Sequence, residues 1–375
     1  MKIEQQHWTA DNGWELTVDA QLGKTANFVL VFGSRTVIQS QYNVIKEFYP
    51  NAIIVFATTA GEIIDTFVYD DIITITAIQF EHTKLESSTL NINTVQNSFN
   101  AGKKLAESLP VENLIHVFVI SDGHLINGSD LVNGLSEILP KHVSITGGLA
   151  GDGAKFEKTL VSLNTIPAEG NIAVIGFYGD RLTVEYGSMG GWDSFGPERI
   201  ITRSEGNVLY ELDNQSALKL YKEYLGEQAE GLPSTGLLFP LSIWATENDE
   251  PLVRTILSID ENNQSMTFAG DVPIGFHARL MRANFDRLVA GASTAAEKII
   301  DSNPDLAILI SCVGRKLILA QRIEEEVENV RDILGDNTIF TGFYSYGEIS
   351  PFTAVPENIC KLHNQTMTIT TFSER

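Results

Sequence analysis

Three carboxylates stand where apolar runs give way to tiny residues. Glu62 and Glu348 occupy the same tripeptide, as Gly61-Glu62-Ile63 and Gly347-Glu348-Ile349, and Asp152 closes the stretch GGLAGDG at 147–153. Held at equivalent strand ends, such groups bind an amine, another cation or a metal, or else accept backbone amide hydrogen bonds and lock their own loops. Two arginines hold a second set of matching places: Arg35 after Gly33-Ser34, and Arg315 after Cys312-Val313-Gly314, with Asp122-Gly123-His124 at the corresponding point between them. A guanidinium fork there suits a carboxylate or phosphate ligand, or forms a salt bridge to the acidic loops beside it. Gly33, Gly61, Gly148 and Gly347 let backbone amides approach whatever lies beyond the strands. Ser34, Thr58, Thr59 and Ser345 lie in the same loops, and together these residues are the expected wall of a small-ligand pocket.

Other chemistries fit less well. The stretch GGLAGDGAKF at 147–156 invites comparison with a phosphate-binding loop, but Ala154 intervenes before Lys155, and Phe156 stands where a hydroxyl residue is needed. Cys312 ends an apolar run; a nucleophilic thiol needs a histidine base and a lowered pKa, and no signature pairs one with it, so a buried core cysteine is the better reading. An enzyme using Glu62, Asp152 or Glu348 as acid or base, or Cys312 as nucleophile, is the rival class, but nothing joins these groups into a constellation. Among the histidines, His363 beside a strand and His124 in a loop are candidate axial ligands for haem iron, or else structural and solvated residues. Cys312 and Cys360 are the only cysteines, too few for a disulfide scaffold or a zinc cluster, and no metal site is expected.

The elements that position these residues form a phrase used three times. NFVLVF (27–32) leads through an amphipathic stretch to IIVFATTAGEI (53–63), LIHVFVI (114–120) to VSITGGLAGDG (143–153), and LAILISC (306–312) to TIFTGFYSYGEI (338–349). An apolar run, a helical stretch and a second apolar run make a βαβ unit with parallel strands and a right-handed crossover. Helices are predicted over 37–48, 94–108, 129–139 with Ser129 as cap, 215–225 and 278–301; hairpins around Gly179-Asp180, Glu205-Gly206-Asn207 and 261–264; and strands over 65–69, 72–80 and 83–91. The stretch GEQAEGLPSTG at 226–236 reads as a linker. The expected fold is α/β, with repeated βαβ-type units, mixed sheets and added antiparallel hairpins, in two domains spanning 1–226 and 227–375.

Composition narrows the partners. The chain has 375 residues with 26 Lys+Arg against 48 Asp+Glu, a formal charge of −22. Nucleic acid and anionic membranes both require a cationic surface, so neither is an expected partner. The N-terminus lacks the apolar core of a signal peptide, and no apolar run approaches the ~20 residues that cross a bilayer, so a cytoplasmic location is expected.

At ATTAGEI (57–63), GGLAGDG (147–153), GNVLYELDNQSAL (206–218), GDVPIGFHARLMRANFDRLVAGA (270–292), SCVGR (311–315), GFYSYGEI (342–349) and LHNQT (362–366), the chain resembles the FIST family, N-terminal and C-terminal regions both. The resemblance spans nearly everything from residue 27 onward. It implies an intracellular sensory domain acting in signal transduction on a small ligand such as an amino acid or small carboxylate. A subgroup of the family implies haem, nitric-oxide sensing and a histidine kinase as partner. The resemblance transfers no catalytic residue.

Overall fold

The computed structural model describes residues 1–247, 249–299, 304–351 and 359–375, which form a mixed α/β fold of four sheets. Each apolar phrase is a parallel pair. Phe28–Gly33 pairs with Ile53–Thr58, Leu114–Ser121 with Ser144–Leu149, and Leu306–Cys312 with Ile339–Ser345. These strands are continuous apolar runs because both faces are covered. Leu30, Phe32, Phe118, Ile120, Ile308 and Ile310 point into one shared centre. The alternate residues Val29 and Val31 pack with Ile45 and Tyr49, while Val117, Val119, Ala307 and Leu309 join the core that holds Leu131 and Val327.

The repeat extends beyond the pairs. Against each first strand lies an antiparallel neighbour: Ile73–Gln79, Asn171–Tyr178 or Met367–Glu374. Against each neighbour lies the strand that preceded its unit: Lys2–Thr9, Lys84–Asn91 or Leu182–Met189. On the opposite side the units exchange strands in a ring. Glu62–Ile64, which follows the first loop, pairs with the third unit's Ile339–Ser345. Gly347–Pro351, which follows the third loop, pairs with the second unit's Ser144–Leu149. Val161–Leu163, which follows the second loop, pairs with the first unit's Ile53–Thr58. Each sheet is completed by the next unit, so the three sheets form one interlocked body.

The fourth sheet is an excursion within the third repeat. The chain leaves after Leu182–Met189, runs through Trp192–Glu205, and returns through His277–Ala283 to the helix Phe285–Glu297. Between these lie Val208–Leu212, Leu241–Trp244, Ile256–Asp260 and Ser265–Phe268, with helix Ala217–Leu225 sharing their core. The expected domain junction at 226/227 falls at the end of that helix, whose cap Gly226 leads into a 3-10 turn, Gly226–Gly231.

Several local expectations hold and others are corrected. The hairpins at 205–207 and 261–264 form as antiparallel pairs. The expected hairpin at Gly179-Asp180 does not: Asn171–Tyr178 already has partners on both sides, and Leu182–Met189 pairs with Met367–Glu374 in another sheet. The stretch predicted as helix over 278–301 begins as the strand His277–Ala283, placed between Leu241–Trp244 and Trp192–Glu205. The helix itself is Phe285–Glu297, capped by the Asn284 side chain, which accepts from the Arg287 amide at 3.2 Å; residues 300–301 of the expected range lie outside the described residues. Asn127, not Ser129, caps Gly128–Ile138, accepting from the Asp130 amide at 3.1 Å. The helix expected over 94–108 is Ser98–Glu107, capped by Asn97. The expected linker at 226–236 is mostly two 3-10 turns packed near the fourth sheet, Gly226–Gly231 and Ser234–Leu238. Among the described residues, no helix is long and apolar enough to cross a membrane.

Candidate functional site

The three small-residue loops converge. The Ala60 amide donates to the Tyr344 carbonyl at 2.8 Å, and the Tyr344 amide returns to the Gly61 carbonyl at 2.8 Å. The Gly151 amide donates to the Thr58 carbonyl at 2.9 Å, and the Tyr346 amide to the Leu149 carbonyl at 3.2 Å. Each loop therefore touches the other two. The convergence makes a closed hub: Thr58, Thr59, Gly61, Glu62, Gly148, Asp152, Ser345, Gly347 and Glu348 are all buried, as is Gly33 at the first strand end. Gly61 has φ +143°, and a side chain there would run into the Lys316 side chain.

Glu62 and Glu348 repeat one arrangement. A hydroxyl three residues upstream donates to each carboxyl: Thr59 to Glu62, and Ser345 to Glu348 at 2.7 Å. Glu348 also accepts from the amide and hydroxyl of Thr366, at 3.2 and 3.0 Å. One oxygen of Glu62 has no hydrogen-bond partner among the described residues. Burial pushes both carboxyls up to about 8, against the pull of these hydrogen bonds. In the second loop Leu149 replaces the hydroxyl and the acid is shorter. Asp152 instead accepts from the amides of Phe156, Glu157 and Lys158 at 2.9, 3.2 and 3.0 Å, and from the Tyr346 hydroxyl. Its other neighbour is Arg35, at 3.4 Å.

The arginine forks are engaged within the protein. Arg35, next to the partly exposed Ser34, also bridges to Glu157 at 3.0 Å. Arg315 is fully buried; Nε and Nη2 donate to Glu326 at 3.0 and 2.7 Å, Nη2 also donates to the Leu288 carbonyl, and Nη1 to the Gly190 carbonyl. Glu326 also accepts from Ser311 at 2.9 Å and from Tyr344 at 2.7 Å. Sequence reasoning missed Glu326 because it sits in an acidic run. Its spacing from Ile323 and Val330 on one helix face was the available signal.

Beside the hub the structure holds a cleft of about 740 Å³. One wall is the second unit, at His124, Leu125 and Phe156. Another is the third unit, at Cys312, Leu317 and Tyr346. The fourth sheet closes it at Thr255 and Leu257, with Pro233 and Gly270. Phe156 and Tyr346 stack with ring centroids 4.6 Å apart, so the same tyrosine that donates to Asp152 also forms the cleft wall. A mainly apolar concavity between substructures, with a few polar groups, is the usual form of a small-molecule site. Two other hollows are walled by polar side chains along Asn93–Glu107 or lie beside Pro140 and Ile359.

Of the sequence candidates, Cys312 and His124 reach this cleft and the hub carboxylates do not line it. Burial pushes the Cys312 thiol far above its usual range, which makes it a poor nucleophile. His363 is buried beside the Ser350 carbonyl, 3.0 Å from Nε2, and burial pulls it down to about 4. It is not part of the cleft wall, and among the described residues no lysine or arginine lines the cleft to meet haem propionates.

Comparison with known proteins finds two family regions. Residues 27–215 match the FIST N domain and residues 217–351 match the FIST C domain. An uncharacterised protein of Methanocaldococcus jannaschii is 22% identical over 304 residues, covering 70% of this chain. The aligned region spans 57% of that relative's length.

Proposed function

The chain belongs to the FIST family, with its N and C domains in order, and from that premise we propose that it is a sensory protein whose small ligand occupies the cleft beside the hub. One observation carries this reading. The cleft is walled by the FIST N domain, through His124 and Phe156, and by the FIST C domain, through Leu257 and Leu317. A ligand held by both the interlocked three-sheet body and the fourth-sheet insertion has different contacts when the insertion shifts against that body, and that differential affinity is what biases a conformational equilibrium. The readout belongs to a separate signalling partner in the cytoplasm, such as a histidine kinase.

The hub takes a different part in this proposal. Its carboxylates and arginines fix the loops from which Phe156 and Tyr346 project, and they do not contact the ligand. The test is a thermal-shift screen of a broad metabolite set, repeated on Leu317→Arg in the cleft and Arg35→Gln at the hub margin. Hits that vanish with Leu317→Arg and persist with Arg35→Gln support the reading. Hits with the reverse pattern, or none from the whole set, count against it.

A further inference from the structure

We infer that the cleft is built for an uncharged, largely apolar ligand with a flat ring and one or two hydrogen-bonding groups, an inference that rests on the cleft being the ligand site. Four large apolar side chains that are substantially exposed meet there: Leu125 at 47%, Phe156 at 36%, Leu257 at 44% and Leu317 at 42%. They come from four separate segments, so their meeting is a property of the fold and not of one amphipathic stretch. Converging exposed apolar groups mark a surface that is covered in the working state.

Charge points the same way. Among the described residues, no Asp, Glu, Lys or Arg lines the cleft. Two arginines near the cleft wall are engaged: Arg254, behind Gly270, donates to the carbonyls of Asp271 and Leu362 at 2.9 and 3.1 Å, and Arg315 is held by Glu326. An ionised ligand would lose its hydration with no counter-charge to replace it. A chain of net charge −22 further disfavours anions.

The polar features of the wall suit a neutral hydrogen-bonding group. Thr255 lines the cleft at 5% exposure, and its hydroxyl has no partner among the described residues. A buried hydroxyl left unpaired costs stability, and a ligand that pairs with it removes that cost. The stacked Phe156 and Tyr346 rings offer a flat aromatic surface.

Two dyes that share one ring system separate the possibilities: neutral N-phenyl-1-naphthylamine and anionic 8-anilino-1-naphthalenesulfonate. Fluorescence titration of the full chain should give saturable binding of the neutral dye with a Kd at least about tenfold below that of the sulfonate, since a desolvated, unpaired charge costs more than one factor of ten. Leu257→Lys, at an exposed position that the fold tolerates, should reverse the preference. Equal or tighter binding of the sulfonate by the unmodified protein overturns the inference and leaves the cleft as the site. Saturable binding of neither dye overturns the cleft reading itself.

Discussion

The hub and the cleft lie side by side and share Tyr346, yet they are built on opposite principles. At the hub the repeat is nearly symmetric: three loops exchange backbone hydrogen bonds, and the carboxyls of Asp152 and Glu348 are held by protein donors, while one Glu62 oxygen is unpaired. At the cleft the symmetry is broken, because only the third repeat carries the fourth sheet as an insertion. There most side chains are apolar and the Thr255 hydroxyl is unpaired. Repetition in this molecule serves the architecture, and the departure from repetition supplies the concave surface. Substitutions beneath the hub should therefore cost stability, and substitutions in the cleft should cost ligand binding alone.

The largest expected effect is at Arg315. Arg315→Met leaves Glu326 buried without its counter-charge, and should cost about 3–5 kcal/mol in urea unfolding. Combining it with Glu326→Leu should recover much of that loss, because the unpaired charge is gone. A single substitution with no measurable cost would contradict the assignment of this pair to the architecture.

The next effect is a pH dependence. Glu62 and Glu348 are raised from 4.5 to about 8, so the folded state retains protons that the unfolded chain releases. Between pH 4.5 and 8 the unfolded state binds fewer protons, and these groups' contribution falls as pH rises through that window. His116 and His363, pulled down to about 3 and 4 by burial, act oppositely as pH falls below 6.5. Each carboxyl is isolated by comparing its variant with the parent. The stability of Glu62→Gln or Glu348→Gln relative to wild type should rise from pH 5 to pH 8, read by chemical denaturation. A flat difference would place the folded-state pKa near the ordinary value.

The smallest effects are in the cleft. Thr255→Val removes a buried, unpartnered hydroxyl and should leave the unliganded protein equally stable or more stable by up to ~1 kcal/mol. Leu257→Lys should change unliganded stability by less than about 0.5 kcal/mol, as expected for an exposed position. A large loss from either would mean that the cleft is structural core.

How much of this could be read in the sequence follows from how local each signal is. The βαβ phrases were legible because a continuous run such as Leu306–Cys312 is buried on both faces and has nothing else to be. The hairpins at 205–207 and 261–264 carry their own turn residues. The ring of exchanged strands was not legible. Glu62–Ile64 is three residues long, and its partner strand lies in the third unit. His277–Ala283 was mistaken for helix because its alternation of half-buried and buried residues merges into a helical pattern just beyond Asn284. Convergence of the three loops followed from their repetition, but their burial did not, since composition cannot distinguish a pocket wall from a closed joint. The cleft was out of reach because Phe156, Leu257 and Leu317 share no spacing and are assembled by three different packing decisions.

The central claim is that the cleft, and not the hub, holds the ligand. A crystal structure of the full chain with N-phenyl-1-naphthylamine tests it most directly. The account predicts the dye lying between Phe156, Leu257 and Leu317, with the Glu62 and Glu348 hydrogen bonds unchanged. A dye bound among the loops at 57–63, 147–153 and 342–349, with those hydrogen bonds broken, would contradict it.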